Sequence, residues 1–415
     1  MLGGRLTTWL PLAMLVLLGL LASYGHLLVE NRGHAAVDGI PSVIPVSSAR
    51  DRGPDSLRSA LFLAMKANHR VTIQLDVPLI ELEVALPPVL SSNGVTIRGG
   101  LDVPTVLKNV ATDPDQSAIL RLLGNNIDLH DFTLDAAGAP GIAVFGEQAT
   151  VAGVEVRNAG IGLSAVNPVR LTVRDSRFID NIDGIRIQGS TGSATIVNSV
   201  ISGNRENGIW LVFNEPAAAD TASITIHGNR INAGRNGLVG ANTVADFRNN
   251  YVSGFSRIGL MLMASRAAVV DNRIVDSNGI GMHLSNMQES FVYENEIGSN
   301  SLVGILILDA DGLQVANNNI YSNGYGIVTV GREPIAAALR SNVLADQKID
   351  GLIAIGDTPI IDGNHALRNS QAGIRVLDLL LPDIPVIAAT QRYTNNVLRD
   401  NGSNTVLQGE FVVHP

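Results

Sequence analysis

The 415-residue chain carries 29 Lys and Arg against 38 Asp and Glu, a net charge of −9, and no cysteine. The acidic balance argues against a nucleic-acid partner. The missing cysteines exclude disulfides, thiolate metal sites and a cysteine nucleophile, while an apolar content of 46% suffices for a long core.

Arg5 precedes an uncharged, strongly apolar stretch from Leu6 to Val29. It is expected to be a signal peptide or, given its length, an uncleaved signal anchor with Arg5 on the cytoplasmic side. The remainder would then be exported to the periplasm or another extracytoplasmic space, tethered to the inner membrane if the segment is kept. Residues 30–50 read as a linker. Asp51-Arg-Gly-Pro-Asp-Ser-Leu57 opens a helix expected over Ser56–Ala67, with Leu57, Ala60, Leu61, Ala64 and Met65 on its apolar face. Val71–Leu75 and Val95–Arg98 have the period of strands. A stack of strands exposes an open edge at its end, and the helix is assigned to cap it.

Regular coils are expected over about residues 125–402. Eleven Gly–apolar pairs, from Gly141-Ile142 to Gly373-Ile374, recur at spacings of 21 to 29 residues. A period in the low twenties is that of a solenoid whose repeats bury their apolar faces only by stacking. In phase with the glycines run Asn229, Asn250, Asn272, Asn295, Asn318, Asn342, Asn364 and Asn396, with Ser176 and Ser199 in the same place earlier. Five residues later stand Asn181, Asn204, Asn300, Asn323, Asn369 and Asn401. Asn tolerates left-handed turns and, stacked in register, hydrogen-bonds along a column, so both ladders read as structural. Apolar residues alternate between these markers and no helical pattern intervenes. The fold class is therefore all-β: one right-handed parallel β-helix over residues 51–415, its hand set by the crossover rule.

The repeat Asn295-Glu-Ile-Gly-Ser-Asn300 with Gly304-Ile-Leu-Ile307 resembles the pectate-lyase-like β-helix superfamily, over roughly residues 90–410. That superfamily holds NosD-like periplasmic proteins, polysaccharide lyases, alginate C5-epimerases and polygalacturonases. The resemblance implies a polysaccharide partner, with lyase or epimerase activity on an acidic glycan. The alternative it implies is a non-enzymatic NosD-like scaffold.

Coils in register stack about 4.8 Å apart, so each repeat position forms an outward or inward column. Positions three and five before the first-ladder Asn should point in, as Val269, Ile226 and Ile224 do. The position two before, and the Asn's immediate neighbours, should point out. They gather Arg174, Asp175 and Arg177 as candidate substrate-binding residues, together with Asn249. His227, Arg230, Arg248, Tyr251, Arg273 and Tyr293 are the candidate catalytic residues. Asp271, Glu294 and Glu296 are candidate Ca²⁺ ligands. Arg neutralises a uronate, His or Tyr moves a proton, and carboxylates hold a hard cation. Cross-coil ion pairs, Arg273 with Glu294 or Glu296, account for the same residues on a solvated face.

After each repeat Gly the outward positions are instead apolar, among them Trp210, Val239, Met261, Met263, Leu306, Val328 and Ile353. A stripe of that length calls for a cover. The insertion Leu377–Ile387, a protein partner or a membrane surface could supply it. Met261, Met263, Met282, His283 and Met287 are of types that bind Cu(I), but Met282 should face the core and Met is ordinary filler, so copper is not expected. Asn181-Ile-Asp-Gly184 resembles an N-T-D-G element of polygalacturonases, yet the paired carboxylates and His of that machinery are missing. Asp113-Pro-Asp-Gln-Ser117 reads as a turn, and His130 with Asp128 and Asp131 as a polar spot.

Overall fold

The computed structural model describes residues 39–100, 104–111, 117–190, 192–214, 222–331, 337–356, 359–377 and 393–408. The N-terminal apolar stretch, residues 112–116 and residues 378–387 of the apolar insertion lie outside them. Among the described residues no helix is long and apolar enough to cross a membrane.

Each coil contributes three parallel strands. The strand before the first-ladder residue joins a 15-stranded sheet that runs from Val43–Val46 to Tyr393–Thr394. The strand after it forms a second face, and the strand led by the repeat Gly forms a third. These two faces make one 25-stranded sheet, because the strands Arg230–Ala241 and Tyr251–Met263 run through the corner between them. Pairing is in register along the solenoid, so that like residues stack: Ile305 on Ile327, Ile320 on Leu344, Val292 on Val315. One irregularity falls between Gly234 and Asn236, within the longest repeat.

Stacking explains the sequence markers. Ile305, Ile327, Leu352 and Ile374 are fully buried in one inward column, each worth about 1.5–3 kcal/mol of apolar burial. The repeat glycines lie against the next coil. A Cβ on Gly304 would sit 2.7 Å from the carbonyl oxygen of Gly326. The ladder side chains are buried and bond coil to coil. Asn250 Nδ2 donates to Asn272 Oδ1 at 2.9 Å, and Asn272 repeats this with Asn295 at 3.0 Å. In the second ladder Ser277 and Gln347 fill places the Asn pattern leaves open. Gln347 Oε1 accepts from Asn323 N at 2.9 Å, because its longer side chain reaches the same backbone.

The cap helix spans Leu57–Lys66, with Ser56 as N-cap and Ala67 as C-cap. Leu57, Ala60, Leu61 and Ala64 are buried; Met65 is half-buried at the edge of the apolar face. Two boundaries differ from the sequence reading. The expected linker contains strand Val43–Val46, whose Ile44 and Val46 are buried and whose backbone pairs with Val71–Leu75. Stacked coils also begin well before residue 125: Leu79–Leu82 pairs with Thr105–Asn109, which pairs with Phe132–Asp135. These coils lack the Gly and Asn markers because their turns are built from other residues, so the repeat was invisible there.

Candidate functional site

At each first-ladder corner one residue adopts a left-handed conformation. It is the residue before the ladder Asn, not the Asn itself: Asp175, Asn249, Asp271 and Glu294 have φ of 52°, 52°, 54° and 56°. Short polar side chains tolerate this conformation best. The ladder Asn instead supplies its side chain to the neighbouring coil.

That geometry divides the candidate residues. Arg174, His227, Arg248 and Tyr293 share one outward column of the first sheet. Arg177, Arg230, Tyr251, Arg273 and Glu296 share one column of the second face. Asp175, Asn249, Asp271 and Glu294 occupy the ridge between them. The two columns meet along an outer corner of the solenoid.

Most charges on these columns have partners. Arg174 bonds Asp175 at 2.9 Å, Arg177 bonds Glu155 at 3.0 Å and Arg248 bonds Asp246 of its own strand at 2.6 Å. Arg273 bonds Glu296, not Glu294, at 3.0 Å, because Glu296 lies directly opposite it in register. Tyr293 Oη donates to Gln314 Oε1 at 2.9 Å. Tyr251 lies between two guanidiniums, Arg230 at 4.9 Å and Arg273 at 6.0 Å from its ring centre. Arg230 and His227 are exposed, and neither has a carboxylate partner among the described residues. Tyr321, one coil beyond Glu296, donates its hydroxyl to that carboxylate. Burial, then the hydrogen bond and charge of Glu296, push the Tyr321 phenol up to about 12.

The expected Ca²⁺ ligands are not assembled. Asp271 and Glu294 sit on the ridge, while Glu296 is committed to Arg273 and Tyr321. Among the described residues no three His, Asp or Glu side chains come together as a metal site. Beside the acids of the ridge, the second-face column offers Arg230, Tyr251 and Arg273 on three successive coils.

The third face holds a cluster that the sequence reading set aside. Asp183, only 2% exposed, pairs with Arg186, whose guanidinium lies 4.3 Å from the ring centre of Trp210. Asn207 Nδ2 donates to Asp183 Oδ1 at 2.9 Å, and Asn236 Nδ2 donates to Asn207 Oδ1 at 3.1 Å. Towards the other end Asp350, also 2% exposed, binds Arg375 through Nε at 2.8 Å. The signal was present: Asp183 and Asp350 precede the repeat Gly where four other coils place Ile161, Ile258, Ile280 and Val303.

Between these pairs runs the apolar stripe. Val239 and Ile353 are buried, and Trp210, Met261, Leu306 and Val328 are half-buried between stacked neighbours. His283 lies in this column beside Met261 and Leu306, and burial lowers its imidazole pKa. Met282 and Met287 point into the core, so the five residues considered for copper do not converge. Burial likewise lowers the pKa of His130 against the pull of Asp128, which is paired with Arg70.

The family model for the right-handed β-helix region matches residues 89–218 and 217–359. The chain belongs to the right-handed β-helix family. No curated protein matches this β-helix by sequence. Among solved structures it is similar to the catalytic unit of a thermostable α-1,3-glucanase from Streptomyces thermodiastaticus. Identity is 12%, coverage is 90% of this chain and 71% of that one, and the TM-score is 0.50. It is also similar to the A-module of a mannuronan C-5 epimerase from Azotobacter vinelandii, at 18% identity, with 89% and 99% covered and a TM-score of 0.48. The Dettilon tailspike protein gives 12% identity, 90% and 72% coverage and 0.48. At these identities the likeness is one of fold.

Proposed function

We propose that this is an exported β-helix protein that binds an acidic polysaccharide along the ridge between the first sheet and the second face. The observation that carries the reading is the run Arg230, Tyr251, Arg273 on successive coils, with no carboxylate partner for Arg230 or His227 among the described residues. Coils rise by about 4.8 Å, close to the length of one pyranose residue. A chain laid along the solenoid axis can therefore present one carboxylate or ring to each rung. Arg230 and Arg248 would pair with uronate groups, Tyr251 and Tyr293 would contact sugar rings, and Arg174, Asp175, Arg177 and Asn249 would extend the surface. Export rests on the apolar stretch Leu6–Val29.

Lyase or C5-epimerase chemistry is the finer form of this reading. Arg230 or Arg248 would neutralise the uronate, and His227, Tyr251 or Tyr293 would take or give the C5 proton. The test incubates the full chain with a panel of acidic and neutral polysaccharides, with and without Ca²⁺. Binding is followed by affinity electrophoresis, and products by ultraviolet absorbance and NMR. Retardation by acidic glycans only, weakened at least tenfold in Arg230→Ala, is the expected result. Equal retardation of wild type and Arg230→Ala would remove the ridge as the site.

The apolar third-face stripe favours a second reading, a NosD-like scaffold that holds a protein or membrane partner on that face. Ridge variants would then leave function unchanged, and Leu306→Asp would abolish it.

A further inference from the structure

The outer face of the cap helix has a composition unlike the rest of the surface. Its inner residues close the solenoid, but Phe62 and Leu63 point away and are 49% and 40% exposed. Beside them is a shallow depression of about 330 Å³ whose charged lining is Arg52, Arg58 and Lys66, with no carboxylate. Asp51 is turned inward, 2% exposed in its side chain and held by Arg58 at 2.7 Å. Arg52, 3.8 Å from Asp51, and Lys66 are exposed, and Arg50 lies exposed just before them; Asp55 is an exposed acid in the same segment. In a chain of net charge −9, this is a local cationic rim around two apolar side chains, the pattern of a surface that rests on an anionic bilayer.

Chain length brings that surface to a membrane. Ten residues separate Val29, the end of the apolar stretch, from Ile40, the first buried residue of the described chain. They span at most about 35 Å when fully extended. A bilayer that holds the apolar stretch therefore holds the cap close to its surface, at a high effective concentration.

We propose that the outer face of the cap helix docks onto anionic lipid, with Phe62 and Leu63 entering the interface and Arg52 and Lys66 binding phosphate headgroups. The solenoid would then stand with its N-terminal end on the membrane and its long faces free. This goes beyond the polysaccharide reading and does not depend on it.

The native chain has no cysteine, so Leu63→Cys places a single fluorophore on the exposed face. Leu302→Cys, at a position 57% exposed and roughly 50 Å along the axis at the coil spacing, is the control. The full chain is bound to vesicles of phosphatidylethanolamine and phosphatidylglycerol carrying brominated acyl chains, and to phosphatidylcholine vesicles carrying the same label. The expected result is strong quenching at position 63 in the anionic vesicles and none at 302. Arg52→Glu with Lys66→Glu should cut the quenching several-fold while the chain stays vesicle-bound. No quenching at 63, equal quenching in the two lipids, or equal quenching at 63 and 302 would overturn the proposal. So would a position 63 already shielded without lipid in a protein that sediments as a dimer, which would make a second copy the occupant.

Discussion

Three consecutive asparagines, Asn317, Asn318 and Asn319, test whether the ladder holds the coils together. Asn318 is 1% exposed, and its Nδ2 donates to the carbonyls of Val292 at 2.9 Å and Ala316 at 3.1 Å and to Asn342 Oδ1 at 2.9 Å. Its Oδ1 accepts from Asn295 N at 3.0 Å and Asn295 Nδ2 at 2.9 Å. Asn342 Oδ1 keeps the backbone donor of residue 318 in any variant. Asn318→Ala strands the buried backbone N–H of Asn295. One such orphan costs about 1–3 kcal/mol, and the remaining net hydrogen bonds add about 1 kcal/mol. A total of about 3 kcal/mol corresponds to roughly a hundredfold in an opening equilibrium. Asn319 is exposed on the second face, so Asn319→Ala should stay within about 0.5 kcal/mol. Hydrogen exchange of peptides covering Phe291–Tyr325 reads this directly, since a solenoid opens by neighbouring coils. Exchange about a hundredfold faster in Asn318→Ala, with Asn319→Ala like wild type, is expected. Equal protection in the two variants would refute the assignment of the ladder as structural.

Gly304→Ala should destabilise by about 1–3 kcal/mol, because the new Cβ meets Gly326 O at 2.7 Å and Ile320 Cγ2 at 2.9 Å; urea denaturation measures it. Arg375→Ala leaves the Asp350 carboxylate buried without its cation and should cost about 3–5 kcal/mol. Arg273→Ala breaks an exposed pair and should cost less than about 1 kcal/mol. In an ultraviolet difference titration Tyr321 should ionise near pH 12, and in Glu296→Gln it should ionise earlier while burial keeps part of the rise. A phenol raised in the folded state stabilises the fold below the ordinary tyrosine range near 10. That contribution is lost as pH rises from 10 through 12, so alkaline unfolding should begin in this window and be blunted in Tyr321→Phe.

The site was less legible than the fold, for a reason visible in Arg273. Repeat spacing told that it stands beside carboxylates, but not whether Glu294 or Glu296 receives it. Glu294 takes a left-handed corner that turns its side chain onto the ridge; Glu296 lies opposite Arg273 on a flat strand. The same corner puts His227 and Arg230, three residues apart, on different faces. Asp183 was passed over because its neighbours Asn181 and Gly184 are ladder and repeat positions; Arg186 pairs with it within the same strand, and its bond to Asn207 is made only across coils.

The sequence by itself determined the solenoid, its period, both ladders, the inward columns and the cap helix. Each of these follows from a local pattern repeated in register, and repetition makes local preferences add. Only the tertiary structure decided where the first coil begins, which residue turns the corner, which charges pair and where Asp183 and Asp350 are buried. Those outcomes depend on single contacts, some within one strand and some between residues about twenty apart, and no periodic pattern encodes a contact made once.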